Sequence, residues 1–223
     1  MKQSIRYLTT ADGTRLAWAS MGTGMPLVKA ANWLSHLEYD LESPLWRHWV
    51  QFFGAHYHFI RYDERGCGMT GGDPRGLSLE HWLADLEAVI DAAQLDRPFA
   101  LLGISQGAAA CVAYAVKHPE RVSKLLLYGG YARGVYERND PEAARMYRAI
   151  IDVARGGWGD QNPVFRQLFT ARFIPDATEL QMQWFNELAR TTTTAESASA
   201  LLDARGHLDV SSMLGQLRVP TLV

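Results

Sequence analysis

Residues 98–117 read PFALLGISQGAAACVAYAVK, and the architecture of the chain can be worked out from this stretch. Its first part, Pro98–Gly103, is apolar without alternation, which is typical of a strand buried on both faces of a parallel sheet. Its second part, Gly107–Lys117, is rich in small residues and predicts a helix. That helix should end before His118-Pro119, because proline disfavours the helical conformation of the residue that precedes it.

The turn between the two parts, Gly103-Ile104-Ser105-Gln106-Gly107, has the pattern G-x-S-x-G. A serine on such a turn has strained backbone angles, and glycines flank it because a Cβ would clash with the neighbouring strand and helix. The new helix directs its first N–H groups and its dipole at the same spot, which suits an oxyanion. We therefore predict Ser105 as a catalytic nucleophile and the backbone N–H of Gln106 as the first oxyanion-hole donor. The pattern also arises by chance, but chance rarely places it between a buried strand and a helix.

Strand and helix patterns alternate through the preceding residues. A hairpin is predicted around the turn dipeptide Asp12-Gly13, with strands at Ser4–Thr9 and Arg15–Ser20. The clearest helix begins after Ser78, a residue suited to the N-cap, and its apolar residues recur at three- and four-residue spacing. Further elements are predicted at Pro26–Ala30, Leu45–Phe53, Tyr57–Tyr62 and Val122–Tyr128. This order predicts an α/β fold with a doubly wound, mostly parallel sheet.

The alternation stops after the strand that follows the serine helix. From Pro141 to about Leu217 every apolar pattern is helical, and a strand begins again only in the last six residues, RVPTLV. We interpret the helical stretch as a cap inserted over the edge of the sheet. The predicted organisation is a core at 1–135, a helical cap at 136–217, and the start of a returning core strand at 218–223.

Composition narrows the class of function. The chain has 223 residues and a formal net charge of −2, without a basic run, so no nucleic acid and no membrane is expected as a partner. Two cysteines provide neither a disulfide framework nor metal-ligand spacing, and no metal and no cofactor is expected. The N-terminus lacks an apolar segment of the signal-peptide kind, and a cytoplasmic location is the expectation.

Several segments resemble the α/β-hydrolase superfamily. HFIRYDERGCGMTGGD at 58–73 is similar to the strand and loop that precede the family's serine helix, and ALLGISQGAAACVAYAVKHPERVSKLLLYGG at 100–130 is similar to the turn, helix and next strand. VKAANWLSHLEYD at 28–40 and LYGGYARG at 127–134 look more specifically like hydrolase domains that bacteria use alone or fused to LuxR-type regulators and nucleotide cyclases. The resemblance implies an α/β-hydrolase fold and a serine hydrolase.

One departure from the family lies in the loop after the third strand. The family's usual His-Gly is replaced here by Asn32-Trp33. The resemblance then assigns the second oxyanion N–H to Leu34 by position, or to Trp33 if the loop shifts by one residue. Asn32 and His36 are expected to border the pocket, and for His36 the role of a hydrogen-bonding pocket residue is favoured over that of a base.

The resemblance also implies where the rest of a catalytic triad belongs. In this fold the order is serine, acid, histidine, and RVPTLV resembles the strand that delivers the family's aspartate just past its end. The acid and the histidine are thus expected beyond Val223, with the family's last strand and helix missing here. His118 is too far along its helix to serve, and for His207 a solvated surface histidine is favoured over a base. An uncovered sheet edge predicts pairing with another chain.

The leading interpretation is a serine hydrolase of small carboxylic esters that acts through an acyl-enzyme on Ser105, impaired by the missing aspartate and histidine. The alternative is a non-catalytic sensor domain that binds a small ester or apolar molecule under the cap. Perhydrolysis on the same scaffold also stays open, because fold alone does not select the chemistry.

Overall fold

The computed structural model describes residues 2–158 and 164–223, which form a single sheet with helices on both faces. The strands are β1 (Ser4–Thr9), β2 (Arg15–Met21), β3 (Pro26–Lys29), β4 (His58–Tyr62), β5 (Phe99–Ile104), β6 (Val122–Tyr128) and β7 (Thr221–Leu222). The helices are α1 (Tyr39–Glu42), α2 (Arg47–His56), α3 (Leu79–Ala92), α4 (Gly107–Lys117), α5 (Pro141–Gly157), α6 (Val164–Phe173), α7 (Glu179–Thr192), α8 (Ala195–Gly206) and α9 (Ser211–Leu214). Short 3₁₀ turns lie at Pro119–Arg121 and Val135–Glu137.

The strand order is β1-β2-β4-β3-β5-β6-β7. The pairs β1–β2 and β2–β4 are antiparallel, and every later pair is parallel. The predicted fold class, a mostly parallel doubly wound sheet, is therefore confirmed. The strand β7 is last in the order, pairs with β6 through Leu126 and Leu222, and is exposed.

Neighbouring residues of the central strands pack on opposite faces of the sheet, as the period of two requires. Leu27 of β3 packs on one face in a cluster that includes Val50 of α2. Val28, the next residue, packs on the other face with α3 and α4 in the largest cluster. The unbroken apolar runs predicted for buried strands follow from this arrangement, because both faces of these strands are covered.

Helix α4 is the most buried helix of the sheet layer. Every residue from Gly107 to Ala115 is buried, and the alanines among them let the helix approach the sheet closely. The prediction for α4 matches both of its ends. The prediction for α3 is correct at Ser78, which takes the N-cap position, but its hydroxyl donates to Glu80 at 2.5 Å instead of capping the backbone.

Between β6 and β7 the described residues form α5 to α9. This helical segment is attached to the core loops by polar contacts. Gly68, in the loop after β4, donates its N–H to the carbonyl of Thr192 at 2.8 Å, and Arg205 of α8 makes an ion pair with Glu64. Every helix within residues 2–158 and 164–223 is too short or too polar to cross a lipid bilayer.

The loop after β4 is held by two buried polar side chains that do not pair with each other. Asp63 accepts N–H bonds from Leu37 at 3.1 Å and from Met69 at 2.9 Å. Arg65 makes a two-bond ion pair with Asp85 of α3, with both N–O distances at 2.6 Å. Burial raises the pKa of Asp85 despite this partner, so its carboxylate depends on Arg65 for compensation.

We predict that Arg65→Met lowers the free energy of unfolding by about 3–5 kcal/mol, because it leaves the buried Asp85 carboxylate without its cation. The double variant Arg65→Met/Asp85→Leu should regain most of this loss. Urea unfolding followed by circular dichroism measures both. The control is Arg75→Met, which breaks an exposed ion pair with Asp73 and should leave the midpoint unchanged; an equal loss in Arg75→Met would contradict the assignment.

Candidate active site

Ser105 lies on a sharp turn between β5 and α4. Its φ is +53°, a left-handed conformation that non-glycine residues rarely adopt. The turn is held from two sides: Ser105 donates its N–H to the carbonyl of Tyr128 on β6 at 3.0 Å, and its own carbonyl accepts from Ala108 at 3.1 Å. Strain of this kind persists only where the surrounding structure fixes it, and it clusters at functional sites.

The two flanking glycines are required by close backbone packing. A Cβ on Gly103 would lie 2.6 Å from the Cα of Ala108 and 3.0 Å from the Sγ of Cys111. A Cβ on Gly107 would lie 2.7 Å from the carbonyl oxygen of Ala31, which precedes the predicted oxyanion loop. The serine turn is therefore pressed against both its own helix and the end of β3.

A cavity of about 410 Å³ opens beside Ser105. Ser105, Gln106 and Trp33 line it from the core, and helices α5, α6 and α8 line it from the helical segment. Its apolar wall includes Met146, Ile150, Phe173 and Leu202, and its polar wall includes Tyr131, Tyr147, Arg138, Arg172 and Arg205. The size suits a small organic ligand.

The candidate oxyanion donors are divided between two cavities. Gln106 stands at the start of α4, beside the serine, and is 5% exposed. Trp33 lines the same cavity, whereas Leu34 lines a separate cavity of about 40 Å³. Of the two alternatives for the second donor, the structure thus brings Trp33 to the cavity of Ser105 and places the Leu34 side chain elsewhere.

Asn32 belongs to the smaller cavity and to a buried charged cluster. Its Oδ1 accepts a hydrogen bond from Lys29, and its Nδ2 donates to the carbonyl of Trp33 at 3.0 Å. Burial lowers the pKa of Lys29 to about 8 and raises the pKa of Asp40 to about 6, although Arg61 lies 2.7 Å from the Asp40 carboxylate. Asn32 therefore positions the loop that carries Trp33 and does not line the cavity of Ser105.

The structure does not bring the candidate histidines to the serine. The Nδ1 of His36 accepts from the Tyr39 N–H at 3.3 Å, within its own loop. His207 has a 61% exposed side chain, 3.6 Å from Glu137 and packed on Tyr136. No histidine, aspartate or glutamate lines the Ser105 cavity among the residues that the structure describes.

Sequence reasoning missed the arginines of the cavity. Arg205 is 4% exposed, its Nη2 pairs with Glu64, and its guanidinium lies 4.4 Å above the Trp33 ring. Arg138 and Arg172 line the same wall. No local pattern marks these residues. Arg138 and Arg172 are exposed like most arginines, and the buried Arg205 is identified only by its packing partners.

Comparison with known proteins agrees with this fold. A family model described as alpha/beta hydrolase fold matches residues 33–223. The chain therefore belongs to the α/β-hydrolase family, as the resemblance in the sequence implied.

Individual relatives are more distant. The pimeloyl-[acyl-carrier protein] methyl ester esterase of Neisseria meningitidis is 32% identical over 143 residues, which are 62% of this chain and 45% of that protein. An esterase from Exiguobacterium antarcticum superposes with a TM-score of 0.76 at 23% identity, covering 96% of this chain and 78% of that one. A hydrolase from Pseudomonas aeruginosa gives 0.77 at 22% identity, covering 99% and 79%. The chain spans about half the length of the curated relatives it matches, and the structural likenesses establish the fold alone.

We predict that Gly103→Ala lowers the free energy of unfolding by about 1–3 kcal/mol, because its Cβ would meet the backbone of Ala108. Gly156→Ala in α5 is the matched control, since a Cβ there meets nothing within 4 Å. That variant should be neutral or more stable by up to about 1 kcal/mol. Urea unfolding compares the two. Equal stability of Gly103→Ala and the wild type would show that the serine turn has more room than the structure gives it.

Proposed function

We propose that the chain carries the nucleophile of a serine hydrolase that cleaves small carboxylic esters through an acyl-enzyme on Ser105. The observation that carries the proposal is the left-handed turn that fixes Ser105 at the start of α4, open to a cavity of about 410 Å³. The matched methyl ester esterase is a relative of the same family, which supports an ester as the substrate bond.

In the proposed reaction the Oγ of Ser105 attacks the ester carbonyl carbon and its proton passes to a base. The carbonyl electrons move to oxygen, and the N–H of Gln106 with a second N–H from the Trp33-Leu34 loop stabilises that oxyanion. Each such donor contributes about 3 kcal/mol to lowering the barrier. The base then gives the proton to the departing alcohol. Water, deprotonated by the same base, releases the acid from the acyl-serine and restores the Ser105 hydroxyl.

The base is the part of this mechanism that the described cavity does not supply. A serine hydroxyl is a poor nucleophile at neutral pH unless a base accepts its proton. We propose that in the whole protein an acid and a histidine, in the family's order of serine, acid and histidine, supply the base and its orienting carboxylate. The turn and the oxyanion donors act without them, and removal of triad members in a comparable enzyme leaves a residual rate of about 10³–10⁴ over water.

The test is the intact mass of the folded chain after incubation with a fluorophosphonate. We expect one adduct that forms slowly and is absent in Ser105→Ala, because the turn exposes this hydroxyl beside its oxyanion donors. Added imidazole should accelerate the labelling of Ser105, since it can accept the proton for which the described cavity has no acceptor. Circular dichroism of Ser105→Ala verifies that the variant is folded.

Two outcomes would contradict the proposal. An adduct that persists in Ser105→Ala would place the reactive group elsewhere. No adduct on the folded protein, with or without imidazole, would mean that Ser105 is not a nucleophile in this setting.

The second candidate is a ligand-binding domain of hydrolase fold. The absence of histidine, aspartate and glutamate from the described cavity wall favours it, because a binding site needs shape and polar contacts but no proton acceptor. In that case Ser105→Ala should bind the ligand with unchanged affinity, and no turnover should accompany binding.

A further inference from the structure

The wall of the Ser105 cavity is positively charged. Arg138, Arg172 and Arg205 line it together with Ser105, and no carboxylate lines it among the described residues. The Glu64 carboxylate, which pairs with Arg205, does not line the cavity. Glu64 therefore offsets the positive charge of Arg205 and of no other arginine in the cavity wall. In a cleft with apolar walls, uncompensated charge of one sign raises the local concentration of ligands of the opposite sign.

Two of the three arginines, Arg138 and Arg172, have exposed side chains and no acidic partner among the described residues. Arg172 makes no hydrogen bond or ion pair within the described part of the chain. Arg138 donates its Nε to the backbone carbonyl of Arg133 at 2.8 Å and lies 5.5 Å from the ring centre of Tyr131, and no described carboxylate reaches it. The bond to a neutral carbonyl orients its guanidinium and adds no opposing charge. Burial raises the pKa of Tyr147 to about 12, and the positive charges of Arg205 and Arg172 oppose that rise.

We infer that this cavity accepts esters that carry a carboxylate at the end remote from the scissile bond, with Arg172 and Arg138 binding that carboxylate. The inference rests on the proposed function, which puts the ester carbonyl at Ser105. Guanidinium groups suit the role because their planar donors match a carboxylate with two parallel bonds. The apolar residues Met146, Ile150 and Leu202 then face the chain between the two ends. The substrate class is the half-ester of an aliphatic dicarboxylic acid.

The experiment measures binding on the full chain carrying Ser105→Ala, so that it does not depend on turnover. Isothermal titration compares the monomethyl and dimethyl esters of glutaric, adipic and suberic acids. These pairs differ in the one charge but share the methyl ester and the chain. We expect the half-ester of the best-fitting acid to bind about tenfold more tightly than its diester. Added salt should weaken the half-ester and leave the diester unchanged.

Substitutions of single arginines test which guanidinium groups bind the carboxylate of the half-ester. Arg172→Gln and Arg138→Gln should each remove most of the preference for the half-ester, and diester binding should stay the same. The matched control is Arg145→Gln on α5, an exposed arginine whose partner is Glu142 and which does not line the cavity; its preference should be that of the parent. Arg205 is left unchanged, because removing it would strand the buried Glu64.

The outcomes separate this inference from the hydrolase proposal. Equal binding of half-ester and diester, or an equal effect of Arg145→Gln and Arg172→Gln, overturns the inference whatever the fluorophosphonate result. Labelling of Ser105 together with equal binding of half-ester and diester supports the hydrolase proposal and overturns the inference about the carboxylate. A charge preference without labelling contradicts the hydrolase proposal and leaves a carboxylate-binding cavity in a ligand-binding domain.

Discussion

The left-handed turn at Ser105 is the constraint on which the site depends. A φ of +53° is unfavourable for serine, and the turn is kept by the carbonyl of Tyr128 on one side and by α4 on the other. Neither contact forms unless β5, β6 and α4 pack without side chains at Gly103 and Gly107. The small residues of α4 and the buried strands beside it are thus parts of one arrangement, which lifts a single hydroxyl out of the sheet at the beginning of a helix.

The helical segment gives the turn its chemical surroundings. Helices α5, α6 and α8 line a cavity beside Ser105, and Arg205 links α8 to the core through its ion pair with Glu64. Both side chains of that ion pair are buried, so separating them would leave an uncompensated buried charge. The same attachment holds a guanidinium over Trp33. The helical segment that lines the cavity therefore also supplies the positive charge of the cavity wall.

Much of the fold could be predicted because its signals are local. The hairpin at Asp12-Gly13, the apolar run of β5 and the small-residue helix α4 each carry their pattern in a few adjacent residues. The position of Ser105 followed from the same pattern. The prediction was less specific for the second oxyanion-hole donor, because its identity depends on the geometry of the loop after β3. Leu34 and Trp33 were the two alternatives, and their side chains line different cavities. His36 and Asn32 were also predicted to border the pocket; His36 is bonded within its own loop, and Asn32 lines the smaller cavity together with Leu34.

Local patterns were enough to predict the class of fold and the residue at the strand-to-helix turn, because backbone propensity, hydrophobic period and glycine requirements act over a few neighbouring residues. The family followed from the resemblance of whole segments. The side chains that surround the serine could be identified only from the three-dimensional packing. The arginines of the cavity lie far from Ser105 in the sequence, and no local pattern distinguishes Arg138, Arg172 and Arg205 from other arginines. Their common cavity depends on how helices of one segment pack over the loops of another, and that contact is set by long-range packing, which no local pattern records.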